Sequence, residues 1–167
     1  MRVAHAVNTL FSDGEFIQKA NFLSQLKGGW ERWFQMELAY YIAKTCGKGY
    51  RITLEDSTVY PDTALRADLT MQCPYLSKTT TVVELKCQVA GGDTGNFIRL
   101  VGSDIEKSAK LEPGDDYQVI ALVQAREELE GVYHELACAY PGKITRYEFL
   151  SPLEAPGGFI SFYQEAK

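Results

Sequence analysis

Residues 80–89 read Thr80-Thr81-Val82-Val83-Glu84-Leu85-Lys86-Cys87-Gln88-Val89. β-Branched and apolar side chains dominate, and turn-forming residues flank the segment, so it reads as a strand. Alternate side chains of a strand share a face. The odd positions Val83, Leu85, Cys87 and Val89 are all apolar and point to a core. The even positions are Val82, Glu84, Lys86 and Gln88, which set three polar groups on the opposite face. A central strand of an α/β sandwich is covered on both sides, so polar groups there need a purpose.

The segment 66–73 has the same construction. Ala67, Leu69, Met71 and Cys73 form one face; Arg66, Asp68, Thr70 and Gln72 form the other. Pairing of the two strands would bring Asp68 beside Glu84. Two adjacent carboxylates raise each other's pKa unless a cation joins them. Hard divalent ions such as Mg²⁺ or Mn²⁺ suit such oxygen donors. Lys86 projects from the face of Glu84, where an ammonium can orient water or stabilise charge on a phosphorane-like transition state.

The rest of the chain supplies alternating helices and strands. Residues 15–27 read as a helix broken by Gly28-Gly29. A second helix runs from about Trp30 to Thr45, with Trp30, Phe34, Leu38, Tyr41 and Ile42 on its apolar stripe and Gly47 and Gly49 at its end. Extended segments follow at 50–54, 58–60, 66–73 and 80–89. Then come a helix at 96–111 ended by Glu112-Pro113-Gly114, a buried strand at 117–124, a helix at 126–139, and strands at 144–150 and 159–163. This order predicts one α/β domain over 1–167, with helices around a mixed sheet. Glu37, seven residues after Trp30, falls on the apolar stripe of its helix. A carboxylate there needs a partner, either the polar sheet face or a basic neighbour such as Arg32 or Lys44.

The chain has 167 residues, 46% hydrophobic and 23% charged, a folded rather than disordered composition. No apolar run approaches the roughly 18–20 residues that span a bilayer. Met1–Gly14 lacks the order of a signal peptide, so a cytoplasmic location without membrane association is expected. None of the four cysteines forms a CxxC pair, and reduced core thiols are expected. His5 and His134 are read as incidental or surface residues, and Trp30 and Trp33 as core aromatics. A net charge of −5 argues against a strong non-specific nucleic-acid coat. Arg66, Lys78, Arg99, Lys107 and Lys110 are the candidate phosphate contacts, although a solvated helix face is the favoured explanation for the last three. The glycines of loop 90–95 do not make a P-loop, because no Gly-Lys-Ser/Thr follows.

Asp68, then Glu84-Leu85-Lys86, then Gln88, with Glu37 on the preceding helix, resembles the PD-(D/E)xK, or restriction-endonuclease-like, nuclease superfamily. The resemblance covers roughly residues 30–125 and implies an αβββαβ core. It implies that Asp68, Glu84 and the Leu85 carbonyl hold Mg²⁺ or Mn²⁺, that Lys86 assists the attacking water, and that Glu37 completes the site. Gln88 is structural or orients substrate. A literal Pro61-Asp62 also occurs, but Asp68 lies inside a cleanly alternating strand whereas Asp62 follows proline in turn material. The activity implied is phosphodiester hydrolysis, with DNA expected ahead of RNA, in a toxin, effector, restriction or mobile-element nuclease that could pair as a homodimer. The alternative is a catalytically silent binding module of the same fold, such as an immunity or adaptor protein, with a protein partner. Resemblance at this level carries fold and chemistry, not substrate.

Overall fold

The computed structural model describes residues 3–26, 30–46, 49–62, 64–72, 79–111, 113–149 and 156–165. Gly28, Gly29, Gly47, Cys73, Lys78, Glu112 and Leu150, named above, lie outside the described residues. Three helices come first: α1 (Val3–Leu10), α2 (Gly14–Ser24) and α3 (Trp30–Cys46). They precede strands β1 (Arg51–Asp56), β2 (Ala67–Gln72) and β3 (Thr80–Cys87). Helix α4 (Thr94–Lys107) leads to β4 (Asp116–Val123), α5 (Arg126–Ala139), β5 (Ile144–Glu148) and β6 (Gly158–Gln164).

The six strands form one mixed sheet in the order β1-β2-β3-β4-β6-β5. Strands β1, β2 and β3 form an antiparallel meander, and β4 lies parallel to β3 after the crossover through α4. Helices cover both faces. Val83, Leu85 and Cys87 pack with Leu69, Met71, Ile120 and Leu122 under α1, α2 and α3. Val82, Tyr117, Val119 and Ala121 pack under α4 and α5. The period-two pattern read from 80–89 is thus the division between two cores, with Glu84 and Lys86 on the α4 side. Ala67 departs from its expected face and packs with the α4–α5 layer. The regular pleat is interrupted beside it, where Glu55 adopts φ 53° and leaves the β1–β2 ladder unpaired opposite Asp68.

Three local differences have simple causes. Helix α1 was not expected; its Val3, Ala4, Ala6, Val7 and Leu10 are buried, so packing against the core supports it. Helix α4 starts early, at Thr94, because the Asp93 carboxylate caps the Asn96 amide at 3.2 Å. Residues 58–60, expected to be extended, form bends instead. The Asp56 side chain accepts from the Thr58 amide at 2.9 Å and turns the chain, which sends Tyr60 into the core. Among the described residues no helix is long and apolar enough to cross a membrane.

Candidate active site

The site forms where β2 parts from β3. Their last paired residues are Leu69 and Val83. Beyond them β3 stays bonded to β4 as far as Cys87, and among the described residues its other edge has no strand partner. Side-chain carboxylates replace the lost strand partner. Asp68 Oδ2 accepts from the Leu85 amide at 2.6 Å, and Glu31 Oε2 accepts from the Cys87 amide at 2.8 Å. An amide and a carbonyl of one strand residue point the same way, so the Leu85 carbonyl faces the same gap. Glu31 arrives at the N-terminal end of α3, where a negative charge also complements the helix dipole.

Glu84 is 1% exposed. It accepts from the Tyr60 hydroxyl at 2.5 Å and pairs with Lys107 Nζ at 3.2 Å. Lys107 also pairs with Asp104 at 2.8 Å, one helical turn back on α4. Lys86 Nζ lies 3.4 Å from Asp104 Oδ2 and 3.5 Å from Glu31 Oε1. Asp104 is buried, and among the described residues its Oδ2 accepts no hydrogen bond. Among the described residues, four carboxylates (Glu31, Asp68, Glu84, Asp104) and two ammoniums (Lys86, Lys107) therefore share this centre. Fully ionised, four minus two leaves two negative charges in excess.

The protonation behaviour reflects that surplus. Burial pushes the Glu84 carboxyl up to about 7; the Tyr60 hydrogen bond opposes the rise and the Asp68 charge adds to it. Burial likewise pushes Asp68 up to about 6, opposed by the Leu85 amide and assisted by Glu31. Burial would lower Lys86, but Glu31, Asp104 and Asp68 outweigh it and hold the ammonium above its ordinary value. Lys107 is held up in the same way by Asp104 and Glu84.

Asp68, Glu84, Leu85 and Lys86 are thus brought together. Glu37 is not. It lines a groove with Lys19, Tyr40 and Lys44, on the side of α3 facing α1 and α2. The helix carboxylate at the sheet is Glu31. Asp62 lies in an exposed turn, where its side chain accepts from the Ala64 amide at 3.0 Å. Gln88 is buried and bridges elements: it accepts from the Gln124 amide at 2.9 Å and donates to Thr94 and Glu128. Gln88→Ala would strand the Gln124 amide and leave the Glu128 carboxylate with the Thr94 hydroxyl alone. A loss of about 2 kcal/mol is expected in urea unfolding; an unchanged midpoint would show the bridge to be dispensable.

Lys107, expected on a solvated face, turns inward, whereas Arg66, Arg99 and Lys110 are exposed. His5 and His134 are exposed too, Trp30 is buried, and Trp33 stacks on Phe16. Sequence reasoning missed Glu31, Tyr60 and Asp104. Asp104 had a signal, since Phe97, Val101, Asp104 and Ile105 follow the i, i+4, i+7, i+8 spacing of one helix face. Glu31 had the same signal as Glu37, a place beside the apolar stripe of its helix, and Tyr60 had none. Comparison of the chain with protein-family models, curated proteins and solved structures finds no match in any of the three.

Proposed function

We propose that this chain is a divalent-metal-dependent phosphodiester hydrolase, with DNA as the expected substrate and Asp68, Glu84, Leu85 and Lys86 at its centre. The observation that carries this reading is the surplus of two negative charges in a largely buried centre, which one Mg²⁺ or Mn²⁺ ion would neutralise. The order α3-β1-β2-β3-α4-β4, with β4 parallel to β3, supports a restriction-endonuclease-like core.

The donor set suits such an ion. Asp68 uses Oδ2 on a backbone amide, and among the described residues Oδ1 accepts no hydrogen bond. Glu84 and the Leu85 carbonyl offer further hard oxygens. Among the described residues no three acidic, histidine or cysteine side chains converge as a finished cage, so Lys107 would have to release Glu84. The ion, when bound, supplies Lewis acidity to the phosphate.

The chain's own residues do the remaining work. Asp68 fixes the edge of β3 opposite β4 through the Leu85 amide and so sets where Glu84 and Lys86 stand. Lys86, 23% exposed, presents an ammonium at the mouth of the gap, where a phosphate oxygen or a water can reach it. Glu31 and Asp104 orient that ammonium from two sides.

The direct test is Mn²⁺ titration by calorimetry on the wild type and on Asp68→Ala, with plasmid nicking on the same samples. Binding lost in the variant, with metal-dependent nicking by the wild type, is the expected result. The net charge of −5 favours a second reading, a silent binding module of the same architecture. A wild type that binds no Mn²⁺ and nicks nothing would overturn the first reading in favour of the second.

A further inference from the structure

We propose that Lys107 is an internal counter-ion, which occupies the cation position on Glu84 and yields it by withdrawing onto Asp104. The inference rests on the metal-site reading above and adds a residue that controls access to that site. By charge count one divalent ion balances the site, because Lys86 and Lys107 already supply two of the four positive charges that the carboxylates require.

The geometry suits a displaceable cation. Lys107 Nζ is shared between Glu84 at 3.2 Å and Asp104 at 2.8 Å. The Asp104 contact lies within one turn of α4 and does not depend on β3. An incoming cation can therefore take Glu84 without leaving the ammonium unpaired. Asp104 has an acceptor to offer it: among the described residues Oδ2 accepts no hydrogen bond and pairs with Lys86 at 3.4 Å. A buried carboxylate oxygen without a hydrogen bond is uncommon, and at Oδ2 the Lys86 ammonium compensates the charge only in part. Here it would become a second acceptor for Lys107 once Glu84 is taken. The Lys107 side chain is 22% exposed, whereas that of Glu84 is 2% exposed, so the lysine is the solvent-facing member of the pair.

The inference separates from plain charge effects in a double-variant cycle read by Mn²⁺ calorimetry. Lys107→Gln is expected to bind Mn²⁺ about tenfold more tightly than the wild type, with a stoichiometry of one. Asp104→Asn should bind it about tenfold more weakly, since Lys107 is then stranded on Glu84. In the double variant the Asp104→Asn effect should shrink to about twofold or less, because the lysine it parks is gone. Lys110→Gln, an exposed charge near the same helix end, should leave the affinity unchanged.

Lys107→Met repeats the test if Lys107→Gln folds poorly, as judged by melting. An affinity unchanged or weakened in both Lys107 variants would overturn the inference. So would an Asp104→Asn effect undiminished in the double variant, which marks simple loss of negative charge. A wild type that binds no Mn²⁺ would sink the metal-site reading as well, whereas a binding wild type with indifferent Lys107 variants sinks this inference alone.

Discussion

Glu84→Gln is expected to reduce plasmid nicking by at least about 10²–10³-fold and, at pH 7.5, to raise the melting temperature. The two signs together identify a charge kept for function. Glutamine retains the shape of glutamate and can still accept from the Tyr60 hydroxyl. Lys107 keeps its 2.8 Å contact with Asp104. What is lost is one of two surplus negative charges in a buried centre. The Glu84 carboxyl is pushed up to about 7, so at pH 7.5 the folded protein holds a charge that its surroundings oppose. Relief of that opposition is worth about 1–2 kcal/mol, discounted for the poorer fit of an amide beside an ammonium. For a chain of this size that is a rise of about 2–8 °C. At pH 5, where the wild-type carboxyl is already protonated in the fold, the difference should shrink to a fraction of its value at pH 7.5. If Glu84 were instead one half of a structural ion pair, the variant would melt well below the wild type at both pH values, because an uncompensated buried ammonium is strongly destabilising.

The metal-free wild type is expected to lose stability as pH rises from about 4.5 to 7.5, and Mn²⁺ to restore it. Asp68 and Glu84 both bind protons more tightly in the fold than in the unfolded chain, up to about 6 and about 7 respectively. Below the ordinary carboxyl range both states are protonated, and the contribution is fully present. Between that range and about 7 the folded state carries the extra protons, so stability falls as pH rises. Above about 7 the loss is complete. The two groups together account for a few kcal/mol. Lys86 and Lys107, held above their ordinary range, titrate outside this window. Other carboxylates slope the opposite way; Asp56, for example, is held low although burial opposes it, because Thr58 and Thr70 donate to it. The reading is therefore the difference between the wild type and an Asp68→Asn/Glu84→Gln double variant, melted across the same pH series. Excess Mn²⁺ at pH 7.5, at about a hundred times its dissociation constant, would return about 2.7 kcal/mol, or about 5–10 °C. At pH 5 protons hold the same oxygens, and the gain should be small. A Mn²⁺ shift equal at both pH values, or equal in the double variant, would place the ion elsewhere on the surface.

Much of the architecture is legible in the chain because side-chain period records which faces are buried. The alternation of 80–89 separates two cores in the folded sheet, and the helices over 30–45 and 126–139 fall within a residue of their expected limits. Residues 58–60 escaped that logic. Their conformation follows from an Asp56–Thr58 turn and from the burial of Tyr60 against Glu84, a contact across 24 residues that no local pattern records.

The alternation of the two strands sufficed to bring Asp68 close to Glu84 and Lys86, although its bond to the Leu85 amide depends on the parting of β2 from β3, which no alternation records. The helices did not have that property. The i+7 rule marks Glu37 from Trp30 and Asp104 from Phe97 equally well, yet only Asp104 meets the site. The apolar stripe of α3 has two borders, and at about 100° per residue Glu37 lies on one while Glu31 and Gln35 lie on the other. Which border faces the gap depends on how α1 and α2 seat the helix against the sheet, through contacts such as Phe16 stacked on Trp33 and the Trp30 indole bonded to the Gln88 carbonyl at 3.2 Å. A helix sequence fixes the angle between its faces; only tertiary packing fixes the rotation of the whole, and that rotation put Glu31 rather than Glu37 on the edge of β3 opposite β4.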